Sequence, residues 1–135
     1  MIKLIVGNKG SGKTKTLIEL INKATKESKG NIVCLEKSMK LTYDIDHTVR
    51  LISIDEYKVS GYDAFFGFVA GLFAGNYDIT DVFVDGILKI GGKNLEELGA
   101  TLDKLDEITK GTDAKITFTV SCDSCELPES VKKYL

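Results

Sequence analysis

Residues 7–14 read GNKGSGKT and combine closely spaced glycines with a lysine and a threonine. Glycines let a backbone wrap tightly enough for several N–H groups to point at one bound group. A lysine ammonium adds positive charge beside phosphate oxygens, and a threonine hydroxyl is an oxygen ligand that suits Mg²⁺. The spacing therefore predicts a loop that binds the phosphates of a nucleoside triphosphate together with magnesium.

The segments on either side of the loop support this interpretation. Residues 2–6 form a short apolar run that is typical of a strand buried on both faces. Residues 13–28 repeat apolar side chains at helical spacing, and the positive end of a helix dipole favours anions. The full pattern GxxxxGK[ST] lies between a predicted strand and a predicted helix, as a phosphate-binding loop should. The predicted nucleotide-binding residues are Gly7, Asn8, Lys9, Gly10, Ser11, Gly12, Lys13 and Thr14.

Strand and helix patterns alternate along the rest of the chain. The predicted segments are strands at 31–36 and 49–57, a helix at 64–75, a strand at 81–85, a helix from 95 to 108, a strand at 115–120 and a short helix at 128–134. Alternating β and α segments predict a mainly parallel sheet of about five strands with helices on both faces. Without a linker or repeat, residues 1–135 are expected to form a single nucleotide-binding domain.

Three positions carry helix-end signals. Asn94 followed by Glu97 predicts a capping box at the start of one helix. Gly111 is expected to end that helix, and Gly30 is expected to end the helix that follows the loop.

Composition excludes some classes of protein. The chain carries 18 basic and 20 acidic residues, for a net charge of −2. This balance argues against a nucleic-acid-binding protein that relies on a broad basic surface. The most apolar segment, residues 64–75, is shorter than the ~20 residues of a membrane-spanning helix. With no visible secretory leader, we expect a cytoplasmic protein without a membrane span.

The cysteines do not form a recognisable framework. Cys34, Cys122 and Cys125 are odd in number, which argues against paired disulfides. Cys122 and Cys125 have the spacing of half a zinc site, but a structural zinc needs two further ligands. Cys34 and His47 would have to supply them, so incidental or structural cysteines are favoured over a metal or redox site.

An acidic residue at the end of another buried strand is expected to complete the magnesium site. Asp85 follows the apolar run Val82–Val84, which is typical of an interior strand, and Gly86 leaves room for a turn. Asp55 is the alternative, but its strand alternates with polar residues and predicts less burial. We prefer Asp85, with Thr14, as the metal-binding pair.

The loop and the strand ending in VFVDG resemble the P-loop NTPases with a RecA-like core, over the whole sequence. This resemblance implies a three-layer α/β fold that binds ATP and Mg²⁺, with Lys13 acting on the phosphates. In this family the catalytic glutamate ends the strand after the P-loop helix, which implies Glu36 here. A polar residue at the tip of the fifth strand senses the γ-phosphate in this class, which implies Ser121.

The segment FFGFVAGLFAGNYDITDVFVDG resembles small clostridial ATP-binding proteins loosely labelled as twitching-motility, or PilT-like, proteins. The resemblance favours a slow ATPase that works with an unidentified protein partner or as a homo-oligomer. Two alternatives stay open: an ATP-dependent switch or scaffold that does not hydrolyse, and a small nucleoside or nucleotide kinase. Nucleotide kinases usually use several arginines, whereas Arg50 is the only arginine here.

Gly67, Gly71 and Gly75 repeat every four residues along the apolar helix. A stripe of small residues lets another backbone approach closely. Packing of this stripe against the sheet is the favoured interpretation, and a self-association surface is the alternative.

Overall fold

Five parallel strands form one sheet in the computed structural model, which describes residues 1–38 and 44–135. The strands are β1 (Ile2–Gly7), β2 (Asn31–Glu36), β3 (Arg50–Ser53), β4 (Ile79–Asp85) and β5 (Lys115–Ser121). Their order across the sheet is β1-β5-β4-β2-β3, and every pairing is parallel. The predicted α/β class with a parallel sheet is confirmed.

Helices cover the two faces of the sheet unequally. The described helices are α1 (Lys13–Glu27), α2 (Tyr62–Gly75), α3 (Ile87–Gly91), α4 (Leu95–Thr109) and α5 (Glu129–Lys132). Helix α1 packs on one face, where its buried Leu17 and Ile21 contact a cluster that includes Phe83. The other four helices contribute to the larger core on the opposite face. The result is three layers, with β2 and β4 buried on both sides.

Strand β3 is shorter than the sequence predicts. It ends at Ser53, and Ile54–Tyr57 form a 3₁₀ helix, so the expected strand over 49–57 is wrong in its second half. The reason is that β3 is an edge strand whose only partner, β2, ends at Glu36 opposite Ser53. The Ser53 hydroxyl then donates to the Lys37 carbonyl at 3.1 Å, where the two chains leave the sheet.

Some of the predicted helix boundaries are confirmed and others are wrong. The Asn94 side chain accepts hydrogen bonds from the backbone N–H groups of Glu96 and Glu97, which confirms the N-cap of α4. Gly111 follows the last turn of α4 with a φ of +84°, as a helix-ending glycine should.

Gly30 does not end α1 as predicted, and the structure differs from the prediction at two short helices. Ser28 is the C-cap of α1, while a side chain at Gly30 would collide with the start of β4. Helix α5 spans only Glu129–Lys132, with Pro128 as its N-cap. The five-residue helix α3 had no counterpart in the sequence-based prediction.

The glycines of α2 face outward, not toward the sheet. A Cβ built on Gly67, Gly71 or Gly75 would have open space around it, so the expectation that the stripe packs on the sheet is wrong. Helix α2 instead buries Phe65 and Val69 on its inner side. No helix among the described residues is both long and apolar enough to cross a membrane.

We expect Gly71→Ala to stabilise the protein by about 0.5–1 kcal/mol. Glycine costs roughly this much relative to alanine inside a helix, and nothing near Gly71 opposes an added methyl group. Urea denaturation followed by circular dichroism measures the change in the free energy of unfolding.

Gly99→Ala is the matched control, because Gly99 lies inside α4 but faces a neighbour. A Cβ there would come within 2.8 Å of the Ser130 Cβ, so this variant is expected to lose stability. A loss of stability in Gly71→Ala as well would contradict the open face of α2.

Candidate functional site

The loop between β1 and α1 contains two left-handed glycines and a tight turn. Gly10 and Gly12 both have a φ of +87°, a conformation that other residues rarely adopt. The Ser11 N–H donates to the Asn8 carbonyl at 3.0 Å and closes a tight turn. At Gly7 a side chain would overlap that of Ser11. The loop's own geometry therefore requires glycine at positions 10 and 12, and Gly7 leaves room for the Ser11 side chain.

Helix α1 starts directly inside this loop. Gly12 is its N-cap, no side chain of the described residues caps it, and its first turn contains no acidic residue. The first N–H groups of a helix have no partner within the helix, so they are available to an anion. The fifteen-residue helix adds its positive dipole end at the same point.

Lys13 is the first residue of α1 and turns back over the loop. Its ammonium group donates to the Asn8 carbonyl at 2.9 Å, and only 9% of the residue is exposed. Thr14, the next residue, is exposed at the start of the helix. The remaining loop positions Asn8 and Lys9 are also exposed, so the loop is open to a ligand from solvent.

Two carboxylates end neighbouring strands at the same edge of the sheet. Asp85 is the last residue of β4, Glu36 is the last residue of β2, and the two are paired in register. Strand β5 separates β4 from β1, which puts Asp85 two strand spacings, about 10 Å, to the side of the loop strand. Glu36 lies one strand farther and is 3% exposed. The structure thus brings both predicted acids to the edge from which the loop extends.

Thr119 is hydrogen-bonded to Asp85 at the same edge of the sheet, and the sequence analysis did not identify it as a site residue. Its hydroxyl donates to the Asp85 carboxylate (Oδ1) at 2.9 Å and accepts from the Gly86 N–H at 2.7 Å. A signal was present in the sequence, because Thr117, Thr119 and Ser121 place hydroxyls at every second position of one strand. That spacing puts all three on the same face of β5.

Ser121 lies beside the loop. It is the register partner of Gly7 and is exposed at the end of β5. Because Val84 pairs with Phe118, Ser121 extends two residues beyond the level of Asp85, a rise of roughly 6–7 Å. The loop therefore begins above the carboxylates and not beside them.

Burial and nearby charged side chains shift the thiol pKa values of Cys34 and Cys122. Burial raises the pKa of the Cys34 thiol well above its usual range, and the nearby carboxylates of Glu36 and Asp85 raise it further. Burial also raises the pKa of Cys122, while the positive charge of Lys13 acts in the opposite direction. All three cysteines are free, and the described residues contain no group of three or more metal-binding side chains of the His, Cys, Asp and Glu types.

Asp55, the alternative acid, lies away from the loop. It is on the 3₁₀ helix that follows the edge strand β3, and its carboxylate pairs with Lys37 at 3.3 Å. Both side chains are about half exposed. Three strands, β2, β4 and β5, separate β3 from the loop strand β1, so Asp55 is not brought together with the loop.

Arg50 is at the opposite end of the sheet from the loop. It is the first residue of β3, whereas the loop and the carboxylates follow the last residues of their strands. Arg50 lines a groove of about 360 Å³ beside Gly71 and Gly75 of α2. A larger cleft, of about 600 Å³, also lies at that end of the strands, under α1. Neither contains a predicted site residue.

No protein-family model matches this chain, and none of the curated proteins matches it by sequence. The chain is similar in structure to the flagellar accessory protein FlaH from Methanocaldococcus jannaschii, with a TM-score of 0.61 and 17% sequence identity. The match covers 98% of this chain and 65% of FlaH, so the chain spans about two-thirds of that protein's length. At this identity the likeness establishes the fold alone.

The predicted three-layer α/β fold with a parallel sheet is therefore confirmed. The finer resemblance to pilus-retraction proteins stays a prediction, as do the roles of the individual site residues.

Proposed function

We propose that this protein binds Mg·ATP through residues 7–14 and hydrolyses it slowly. The observation that carries the proposal is the preformed loop. Two left-handed glycines, the Lys13 ammonium bonded to the Asn8 carbonyl, and the start of α1 lie together within residues 7–14. A phosphate chain is the ligand whose charge and size match such an arrangement.

The residues present are of the types that suit magnesium. Thr14 offers a hydroxyl at the start of α1, and Asp85 offers a carboxylate at the end of β4. Magnesium prefers oxygen ligands and keeps several waters, so two protein oxygens plus phosphate oxygens are a suitable set. When bound, the metal would neutralise charge on the phosphates. In this proposal Lys13 binds the β- and γ-phosphates, while Asp85 acts directly or through a water.

Glu36 is the proposed general base. It is buried at the end of β2 in register with Asp85, so its carboxylate is near the proposed metal site and shielded from bulk solvent. A carboxylate in that position can accept a proton from an attacking water while orienting it. Ser121, beside Gly7, is proposed to contact the γ-phosphate.

Slow turnover is proposed because no arginine lies near the loop. Arg50, the only arginine of the sequence, begins β3 at the far end of the sheet. An arginine that stabilises the transition state is worth about 10³–10⁵ in rate when supplied by a partner. The same observation favours the second candidate, a switch or scaffold that binds ATP without hydrolysing it. A partner protein or a second copy would have to supply the missing positive charge.

Lys13→Ala is expected to weaken Mg·ATP binding by about 10- to 100-fold. A hydrogen bond to a charged group contributes about 1.5–3 kcal/mol, which corresponds to that factor in Kd. Isothermal titration calorimetry measures the affinity, and circular dichroism checks the fold. Lys15→Ala, which removes an exposed lysine from the same helix, is the control. Equal affinities in the two variants would rule out the loop as the nucleotide site.

Asp85→Asn is expected to reduce the gain in ATP affinity that Mg²⁺ provides, by about tenfold, while Asp55→Asn leaves that gain unchanged. The reason is that Asp85 ends β4, two strand spacings from the loop strand, whereas Asp55 follows β3, the strand farthest from it, and pairs with Lys37. Calorimetric titrations with Mg²⁺ and with EDTA give the gain for each protein. The opposite ranking would move the acidic site to Asp55 and favour the kinase alternative.

Glu36→Gln is expected to lower the rate of ATP hydrolysis by about 10²-fold or more, with an ATP affinity within twofold of the original. Orientation of the attacking water stabilises the transition state and has little effect on the bound ground state. Phosphate release from purified protein at several concentrations measures the rate. Glu56→Gln, at an exposed position, is the control.

Two outcomes would contradict this account of turnover. An unchanged rate in Glu36→Gln would remove Glu36 as the base. A fast rate in the original protein that does not depend on protein concentration would remove the need for an added positive charge. No hydrolysis above background, together with tight Mg·ATP binding, would favour the switch or scaffold.

A further inference from the structure

We infer that Thr119 is a positioning residue that orients the Asp85 carboxylate for the metal, an inference that rests on the proposed function. Thr119 lies in the interior strand β5 and is 1% exposed. Its hydroxyl oxygen is 2.9 Å from Asp85 Oδ1 and 2.7 Å from the Gly86 nitrogen. One buried hydroxyl therefore contacts both the side chain of Asp85 and the backbone that follows it.

The direction of these two hydrogen bonds is determined by their chemistry. A backbone N–H can only donate, so the Thr119 oxygen is its acceptor. The hydroxyl has a single proton, and a carboxylate oxygen can receive it. The proton of Thr119 is thereby directed to Oδ1 of Asp85. Oδ2 is then the oxygen of Asp85 that would ligate a metal ion or accept a hydrogen bond from a metal-bound water.

The same contact determines how the chain leaves β4. Gly86 has a φ of +75° and a ψ of 53°, the left-handed conformation that a glycine adopts readily. Its carbonyl accepts from the Lys89 N–H at 2.9 Å in the first turn of α3. The Gly86 N–H donates to Thr119 of the neighbouring strand β5, so this hydrogen bond attaches the turn to β5. The attachment lies directly after Asp85, whose carboxylate the same hydroxyl contacts.

Loss of the hydroxyl would remove both constraints while keeping most of the packing. Valine has nearly the shape of threonine, so Thr119→Val keeps the volume of the site filled but leaves the Gly86 N–H without its acceptor. Asp85 would then be able to rotate, and the turn at Gly86 would lose its attachment to β5. Residues that orient a metal ligand commonly change metal affinity by about 10- to 100-fold.

The test compares the ATP affinity measured with Mg²⁺ and with EDTA, by titration calorimetry on the whole chain. In Thr119→Val we expect the increase in ATP affinity that Mg²⁺ provides to be about tenfold smaller than in the original protein. The ATP affinity measured in EDTA should stay within twofold of the original. Thr119→Ser retains the hydroxyl and is expected to restore the gain. Such a split between the two affinities would not arise from general destabilisation, which affects both.

Thr117→Val is the matched control. Thr117 is on the same strand and the same face, is 5% exposed, and pairs in register with Phe83 instead of Asp85. This variant is expected to keep the full gain from Mg²⁺. If Thr119→Val does not fold, Thr119→Ala replaces it, because the smaller side chain leaves room for a water to bond Gly86.

The possible failures are distinguishable. If the original protein binds ATP but shows no gain from Mg²⁺, the proposed metal site fails and this inference fails with it. If the original protein shows the gain and folded Thr119→Val retains it, the inference alone is overturned. If neither Thr119→Val nor Thr119→Ala folds, the hydroxyl serves the fold, and its role as a positioning residue for the metal is overturned.

Discussion

The pairing of β5 between β1 and β4 is the constraint on which the candidate site depends. It keeps the loop strand and the Asp85 strand parallel while separating them by about 10 Å, two strand spacings. Direct pairing of β1 with β4 would halve that distance and bring the carboxylate under the loop. The inserted strand also contributes its own hydroxyls to the gap, with Thr119 bonded to Asp85 and Ser121 opposite Gly7. One strand therefore sets the width of the site and supplies two of its polar groups.

Helix α1 links this site to the core. Leu17 and Ile21 are fully buried against the sheet, so the helix cannot shift without exposing them to water. The position of its first residue, Lys13, follows from that packing, and the loop has to span the short distance between β1 and α1. The left-handed conformations at Gly10 and Gly12 make that connection possible. The position of residues 7–14 therefore depends both on the backbone conformation of their glycines and on the burial of α1 against the sheet.

The surface away from the loop is organised differently. Helix α2 is apolar from Ala64 to Gly75, yet only its inner side is buried, and its small residues face outward. The only arginine of the sequence lies on the same flank, near the amino end of β3. The positive charge at the loop accordingly comes from lysines and the dipole of α1.

The features that the sequence determined by itself are local ones. Glycine spacing around Lys13, the Asn94 cap and the apolar runs of β2 and β4 each depend on residues close together in the chain, so propensity and periodicity predict them. The tertiary structure alone decided the strand order, the departure of Asp55 from the sheet and the outward direction of the α2 glycines. The bond between Thr119 and Asp85 joins residues 34 positions apart. Hydrophobic periodicity records which residues are buried, but the neighbour that each one meets depends on the register of strands brought together only when the whole sheet forms.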